Sequence, residues 1–165
     1  MKIAVTDANI FIDLIEIEIL QCLFELGMEI HTTRAVYDQL TEIQKRIINE
    51  FLSVGKLIIY NLSFDDLKEI YMIDFPLGLD PVDKSVYYYA QKVNAIILSG
   101  DKKLKLFCEK KAIDVKDINW VFDQIVAKEL LPKNIAAQKL DLLLSINDRL
   151  PFDECRKRIN KWGGL

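Results

Sequence analysis

Histidine occurs once, at His31, and the three cysteines, Cys22, Cys108 and Cys155, stand far apart with no pair in a metal-ligand spacing such as CxxC. A zinc centre of histidine and thiolate ligands is thereby excluded. Any metal in this chain has to be held by oxygen, which means Mg2+ or Mn2+ before Zn2+. Scattered cysteines in odd number also argue against a disulfide frame, and the expectation is reduced thiols with Cys22 and Cys108 buried. No apolar run reaches the ~18–20 residues of a membrane span. The amino terminus carries Lys2 and then a short apolar stretch that Asp7 interrupts, which is not the shape of a signal peptide. A cytoplasmic protein without membrane association is expected. A cationic surplus is missing as well: 22 Lys and Arg against 25 Asp and Glu leave a net charge of −3, so the molecule as a whole is not a basic clamp for nucleic acid. Linkers, low-complexity stretches and internal repeats are absent too.

What is present is the composition of a globular chain, 51% hydrophobic and 28% charged, with 165 residues that fit one domain around one core. Ile3–Thr6, Leu57–Tyr60 and Ala95–Ser99 are rich in branched apolar residues and read as buried parallel strands. Met28–Thr32 and Ile113–Val115 are weaker candidates. Between them lie helical patterns. Asp80-Pro81 opens one, with Val82, Val86, Tyr89, Ala90 and Val93 on a stripe; Leu104, Phe107, Cys108 and Lys111 form another; Ile118, Val121, Phe122 and Ile125 form a third. The stretch after Asp7 is read as helix with a break near Glu16–Glu18. From Pro132 onward two more helices are expected, about Ile135–Leu144 and Phe152–Lys161. Strands alternating with helices imply an α/β/α three-layer sandwich around a parallel sheet of about four or five strands, followed by carboxyl-terminal helices.

The aspartates carry the chemistry. Asp7 closes the first strand and Asp101 follows the strand Ala95–Ser99, just past Gly100. In open parallel sheets ligands bind at the carboxyl ends of strands. Neighbouring strands lie about 4.8 Å apart, so two carboxylates there could share one cation. Asp83 sits in the first turn of the helix that leads into the second of these strands, and Asp38 follows Thr32-Thr33. Each also has a structural reading: Asp7 and Asp101 as helix caps, Asp80 and Asp83 as a capping box, Asp38 as a surface residue. Four such acids at one sheet end, with no basic partner fixed by sequence, would repel one another, and a divalent cation would relieve that repulsion. His31 reads as structural. Among Tyr87, Tyr88 and Tyr89, Tyr89 is expected in the core and one of the others outward; Trp120 reads as core or interface. Two lysine-rich stretches, Lys102 to Lys111 and Arg156 to Lys161, read as solvated helix faces.

Four segments resemble the motifs of the PIN-domain ribonucleases: Val5-Thr6-Asp7-Ala8-Asn9 with its apolar continuation to Asp13; Thr33-Arg34-Ala35-Val36-Tyr37-Asp38-Gln39-Leu40; Leu79-Asp80-Pro81-Val82-Asp83 with Ala90 seven residues on; and Ile97-Leu98-Ser99-Gly100-Asp101. They occur in the family's order over roughly residues 1–127, leaving the extension of about 132–165 uncovered. The resemblance implies cleavage of single-stranded or structured RNA with Mg2+ or Mn2+, Asp7, Asp83 and Asp101 being the metal ligands and Asp38 acting through water. Asn9 and Ser99 are implied to steady a carboxylate or phosphate, and Lys102 and Lys103 to hold the RNA backbone. It further implies a toxin of the VapC type with a small antitoxin partner, and a homodimer. Two departures stand out: the second acid is usually glutamate rather than the shorter aspartate, and Asp80 competes with Asp83, which is preferred for its spacing to Ala90. The alternative is a PIN-like module that has lost catalysis and binds nucleic acid or protein. An aspartate-nucleophile phosphatase fits less well, because Asn9 stands where that chemistry wants a second acid.

Overall fold

The computed structural model describes residues 1–164. At its centre runs β1 (Ile3–Thr6), with Ala4, Val5 and Thr6 wholly buried. A strand covered on both faces needs apolar residues in succession rather than in alternation, and Ile3-Ala4-Val5 supplies them. On one side β1 pairs with β2 (Glu29–Thr33), and β3 (Leu57–Tyr60) continues outward from β2. On the other side it pairs with β4 (Ile96–Leu98), and β5 (Val115–Lys116) forms that edge. All pairings are parallel, in the order β3-β2-β1-β4-β5.

Parallel neighbours need crossovers, and crossovers in one sheet are right-handed. Helices α1 (Ala8–Glu16) and α2 (Leu20–Phe24) join β1 to β2, and α3 (Arg34–Asp38) and α4 (Glu42–Ser53) join β2 to β3. The chain then returns past β1 through α5 (Phe64–Tyr71) and α6 (Pro81–Val93) to β4, and α7 (Lys102–Lys110) leads on to β5. The reversal of direction puts α5 to α7 on the face opposite α1 and α2. There α6 lies across β1, β2 and β4. Helix α8 (Ile118–Ala127) packs on α2, while α9 (Lys133–Ile146) and α10 (Phe152–Gly163) pair with each other outside it. The expected three-layer α/β/α sandwich is observed, with five strands.

Local details differ from the sequence reading in instructive ways. The break after α1 is a Schellman turn: Ile19 N–H reaches Leu14 O at 3.0 Å and Glu18 N–H reaches Ile15 O at 3.1 Å, with Glu18 at φ 60°. It lets Ile17 and Ile19 both enter the core. Helices α4 and α5 were not anticipated, although capping boxes Thr41/Gln44 and Ser63/Asp66 open them. All three tyrosines of α6 are buried, which corrects the expectation that one faces outward. Tyr87 packs edge-on against Phe75 and Phe107, Tyr88 binds Asp66, and Tyr89 stacks on Tyr60 at 4.3 Å. The α6 helix is flanked on the sheet and on both sides, so none of these rings is free to stack on a base. His31 is structural as expected, buried with Nδ1 2.8 Å from Tyr89 Oη. Trp120 is half-buried against the core, and all three cysteines are buried and free.

Helix α5 is pinned to α6 through Asp66, which is 3% exposed. Burial opposes its charge, but Tyr60 Oη (2.6 Å), Ser63 N (2.8 Å), Tyr88 Oη (2.7 Å) and Lys92 Nζ (3.2 Å) all donate to it and outweigh that, holding its carboxyl well below the usual range. Asp66→Ala strands these donors and should destabilise the protein by about 2–4 kcal/mol, read as a lower urea midpoint at unchanged slope. A depressed carboxyl contributes stability above its unfolded pKa of about 3.9 and loses it as pH falls, so the difference between variant and wild type should shrink in acid.

Candidate metal centre

The topology fixes where a site can form. Strand order reverses between β1 and β4, and such a switch point opens a crevice at the carboxyl ends of the two strands. Asp7 and Asp101 are the residues that leave those ends. The ladder extends one step further there, with Asp7 N–H on Leu98 O at 2.9 Å.

Asp7 is 6% exposed and accepts from Ala8 N (2.8 Å), capping α1, and from Ser99 Oγ (2.9 Å) and Asn9 Nδ2 (3.4 Å). Ser99 Oγ in turn accepts from Asp101 N at 3.1 Å, and Asn9 Oδ1 accepts from Gly100 N at 3.2 Å. One hydroxyl and one amide thus stitch the β1–α1 turn to the β4–α7 turn. Asp101 caps α7 through Oδ1 and Leu104 N at 2.9 Å. Asp80 and Asp83 form the reciprocal capping box that opens α6, at 2.8 and 3.1 Å. Pro81 at the first helical position reinforces that start. Capping and clustering are the same event for three of the four aspartate-capped helices: the starts of α1, α6 and α7 gather at the switch point, while Asp117, the cap of α8, follows the edge strand β5.

The electrostatic consequence is mutual repulsion. Burial raises the Asp7 carboxyl; Ser99 and Ala8 counter this, while the charges of Asp101 and Asp80 add to it. Asp83 is pushed up to about 7, by burial first, against its capping bond from Asp80 N, and further by the charges of Asp80, Asp101 and Asp7. Among the described residues none of these four acids is in a salt bridge. Hard oxygen donors carrying uncompensated negative charge are what Mg2+ or Mn2+ binds. Donor chemistry and charge fit such an ion; finished coordination geometry is lacking, because among the described residues no three Asp, Glu, His or Cys side chains converge closely enough to hold one.

Asp38 stands apart. It ends α3 on the surface, with Arg34 Nε 3.0 Å from its Oδ1 and more than half its side chain exposed. Arg34 is the basic partner that the sequence reading said the acids lacked, an i,i+4 pair on one helix face. Asp80, set behind Asp83 for the third acidic position in the sequence reading and explained there as a cap, is both a cap and a source of the field on Asp7 and Asp83. Lys102 and Lys103 are exposed on the first turn of α7. Lys103 also supports the loop before α6: its Nζ lies 3.0 Å from where a Cβ on Gly78 would be, and Gly78 has φ +97°. A side chain at position 78 would be strained and would displace Lys103. A surface pocket of about 990 Å³, lined by Asp123, Val126, Arg158 and Trp162 among others, shares no residue with this cluster.

A family model described as a PIN domain, DUF3368, matches residues 3–164. The chain belongs to the PIN-domain family. The match includes α9 and α10, which the four motifs do not reach. Among solved structures, a PilT N-terminus domain protein from Sulfolobus solfataricus P2 is similar at 12% identity and a TM-score of 0.45, over 77% of this chain and 93% of that one. VapBC2 from Rickettsia felis, bound to a DNA fragment from its promoter, is similar at 14% identity and a TM-score of 0.43, over 70% of this chain and 98% of that one. No curated protein matches.

A raised native carboxyl pKa makes the folded state bind more protons than the unfolded one, so stability falls as pH rises between about 3.9 and the raised value. For Asp83 that window ends at about 7. Metal-free protein should therefore melt at a lower temperature at pH 8 than at pH 5, and Asp83→Asn should remove a measurable part of that drop. Added Mn2+ should raise the melting temperature more at pH 8 than at pH 5. Equal pH dependence in variant and wild type would show that the Asp83 carboxyl is not raised by its surroundings.

Proposed function

We propose that this PIN-domain protein is a divalent-metal-dependent ribonuclease that hydrolyses phosphodiester bonds of single-stranded or structured RNA. The observation that carries the reading is the group of unpaired, mutually repelling carboxylates of Asp7, Asp83 and Asp101 at the sheet's switch point. These three residues would hold Mg2+ or Mn2+. When bound, the cation would activate water for attack and offset the negative charge that builds on the phosphate and the leaving oxygen.

The remaining roles follow from the chain's own contacts. Ser99 and Asn9 fix the Asp7 carboxylate in one orientation, so no torsional freedom is lost there on cation binding. The same Ser99 hydroxyl accepts from the backbone of Asp101, which ties the Asp7 carboxylate to the turn that carries Asp101. Lys102 and Lys103 supply mobile cationic charge beside Asp101 for the RNA backbone. Asp38, held by Arg34, is left out of the proposed cation-binding set; its part would be to orient water. A toxin role with a small antitoxin, a homodimer and a cytoplasmic location belong to the same proposal, to be tested by co-purification, by mass in solution and by fractionation.

A second reading, an inactive binding module, is favoured by one observation: the carboxylates do not converge into a three-donor cluster. One assay separates the two. Wild type should cleave a mixed single-stranded RNA pool with Mn2+ or Mg2+ and not with EDTA, and Asp7→Asn and Asp101→Asn should each reduce the rate by at least about 100-fold while remaining folded. Undiminished cleavage in both variants would overturn the site, and a metal-loaded, partner-free wild type without activity would favour the module.

A further inference from the structure

The sequence holds two lysine- and arginine-rich stretches, and the structure treats them oppositely. In α10, Arg156 is paired with Asp141 at 3.1 Å, Lys157 with Glu154 at 3.0 Å, and Arg158 with Asp123 at 2.8 Å. Three of the four cations of that helix are thus neutralised internally, and Lys161 alone is exposed without a salt bridge among the described residues. In and just after α7, Lys102, Lys103, Lys105, Lys110 and Lys111 make no salt bridge among the described residues, and all are exposed. An acidic chain has therefore left one cationic helix without internal partners, and that helix starts at Asp101.

The arrangement on the helix is directional. Buried Leu104, Phe107 and Cys108 fix the inward face of α7. At about 100° per residue, Lys102, Leu106, Lys110 and Lys103 then fall in that angular order within about 100° of arc on the outward face. Lys102 and Lys110 are separated by about 12 Å along the axis. Leu106, 61% exposed, lies between the lysines as an apolar platform. A stripe of point charges with an apolar step between them suits a single strand, whose phosphates meet the lysines while the leucine gives an unstacked base an apolar surface to cover. Lysines at one end of the stripe flank the carboxylates, so charge complementarity and continuity with the site point to the same occupant.

We propose that α7 is the track for single-stranded RNA: the strand leaves the carboxylate site along Lys102, Lys103, Leu106 and Lys110, and not across the basic α10. This rests on the ribonuclease reading for the strand's destination, but it makes a claim about binding that can fail separately.

The test is fluorescence anisotropy of a labelled single-stranded oligoribonucleotide of mixed sequence in EDTA, which blocks metal-dependent cleavage, over a series of salt concentrations. Lys110→Glu and the double variant Lys103→Gln/Lys110→Gln should weaken binding about tenfold and reduce the slope of log affinity against log salt by about 0.7 for each lysine that contacts a phosphate. Leu106→Ser should weaken binding without changing that slope. Lys161→Glu, the same charge change on α10, should leave both quantities near wild type. Loss of affinity equal for Lys161→Glu and Lys110→Glu, or none for either, would overturn the track. Duplex DNA bound more tightly than the RNA through the same lysines would overturn the choice of ligand. Wild type that binds through α7 yet cleaves nothing with Mn2+ would leave the track standing and remove the ribonuclease reading; cleavage with no effect of the α7 variants would do the reverse.

Discussion

Asp7 is kept as a buried carboxylate next to other carboxylates, and the rest of the site is arranged around that difficulty. Its charge is opposed by burial and by Asp101 and Asp80, and is sustained by Ser99, Ala8 and Asn9. Of these, the Ser99 hydroxyl matters most, because it serves two chain segments at once. Its proton goes to Asp7 Oδ2 and its lone pair takes the Asp101 N–H. The turns after β1 and β4 are thereby locked together through the Asp7 carboxylate, beside the backbone bond from Asp7 N–H to Leu98 O. Helix α6 then brings Asp80 and Asp83 into the same field, held by Tyr89 stacked on Tyr60 of the sheet, by Tyr87 against Phe75 and Phe107, and to α5 by Tyr88 on Asp66.

The architecture was largely legible because its signals are local. Buried parallel strands are continuous apolar runs, and four of the expected strands lie within a residue of their observed limits; the fifth, β5, is Val115–Lys116 rather than 113–115. Asp7 and Asp101 could be placed at one sheet end because each follows a buried strand, and Asp83 because it opens the helix leading into the second of them; the adjacency of the two strands was a condition of that reading, which the β1–β4 pairing meets. What was not legible depends on partners distant in sequence or on faces that periodicity alone does not assign. Tyr87 and Tyr88 looked free because helical spacing reports one buried stripe, whereas α6 is covered on several sides. Asp38 looked available because its neutralising partner, Arg34, is a surface contact that many rotamers could equally have avoided. The capping boxes of α4 and α5 were readable and were passed over in favour of hydrophobic periodicity.

The two basic stretches make the same point about charge. By composition they are equivalent, and by sequence each is a run of cations on a helix. Only the fold distinguishes them, since α10 packs beside α9 and α8 where Asp141 and Asp123 wait, while α7 shows its lysines to solvent. Net charge therefore says little about where an anionic polymer can lie on this molecule; the pairing of each cation says more.

The capping box that opens α6 has a consequence for how this protein can drift. Asp83 is stabilising as a cap and destabilising as a charge, so an asparagine there would keep part of the hydrogen bonding and shed the repulsion. Most substitutions would simply lose the cap, but this one sets a gain against a loss. Selection for stability alone would erode the acidic cluster first, one neutral amide at a time, and would leave the sandwich intact. The presence of so many carboxylates in one crowded crevice is thus the part of the molecule least explained by folding.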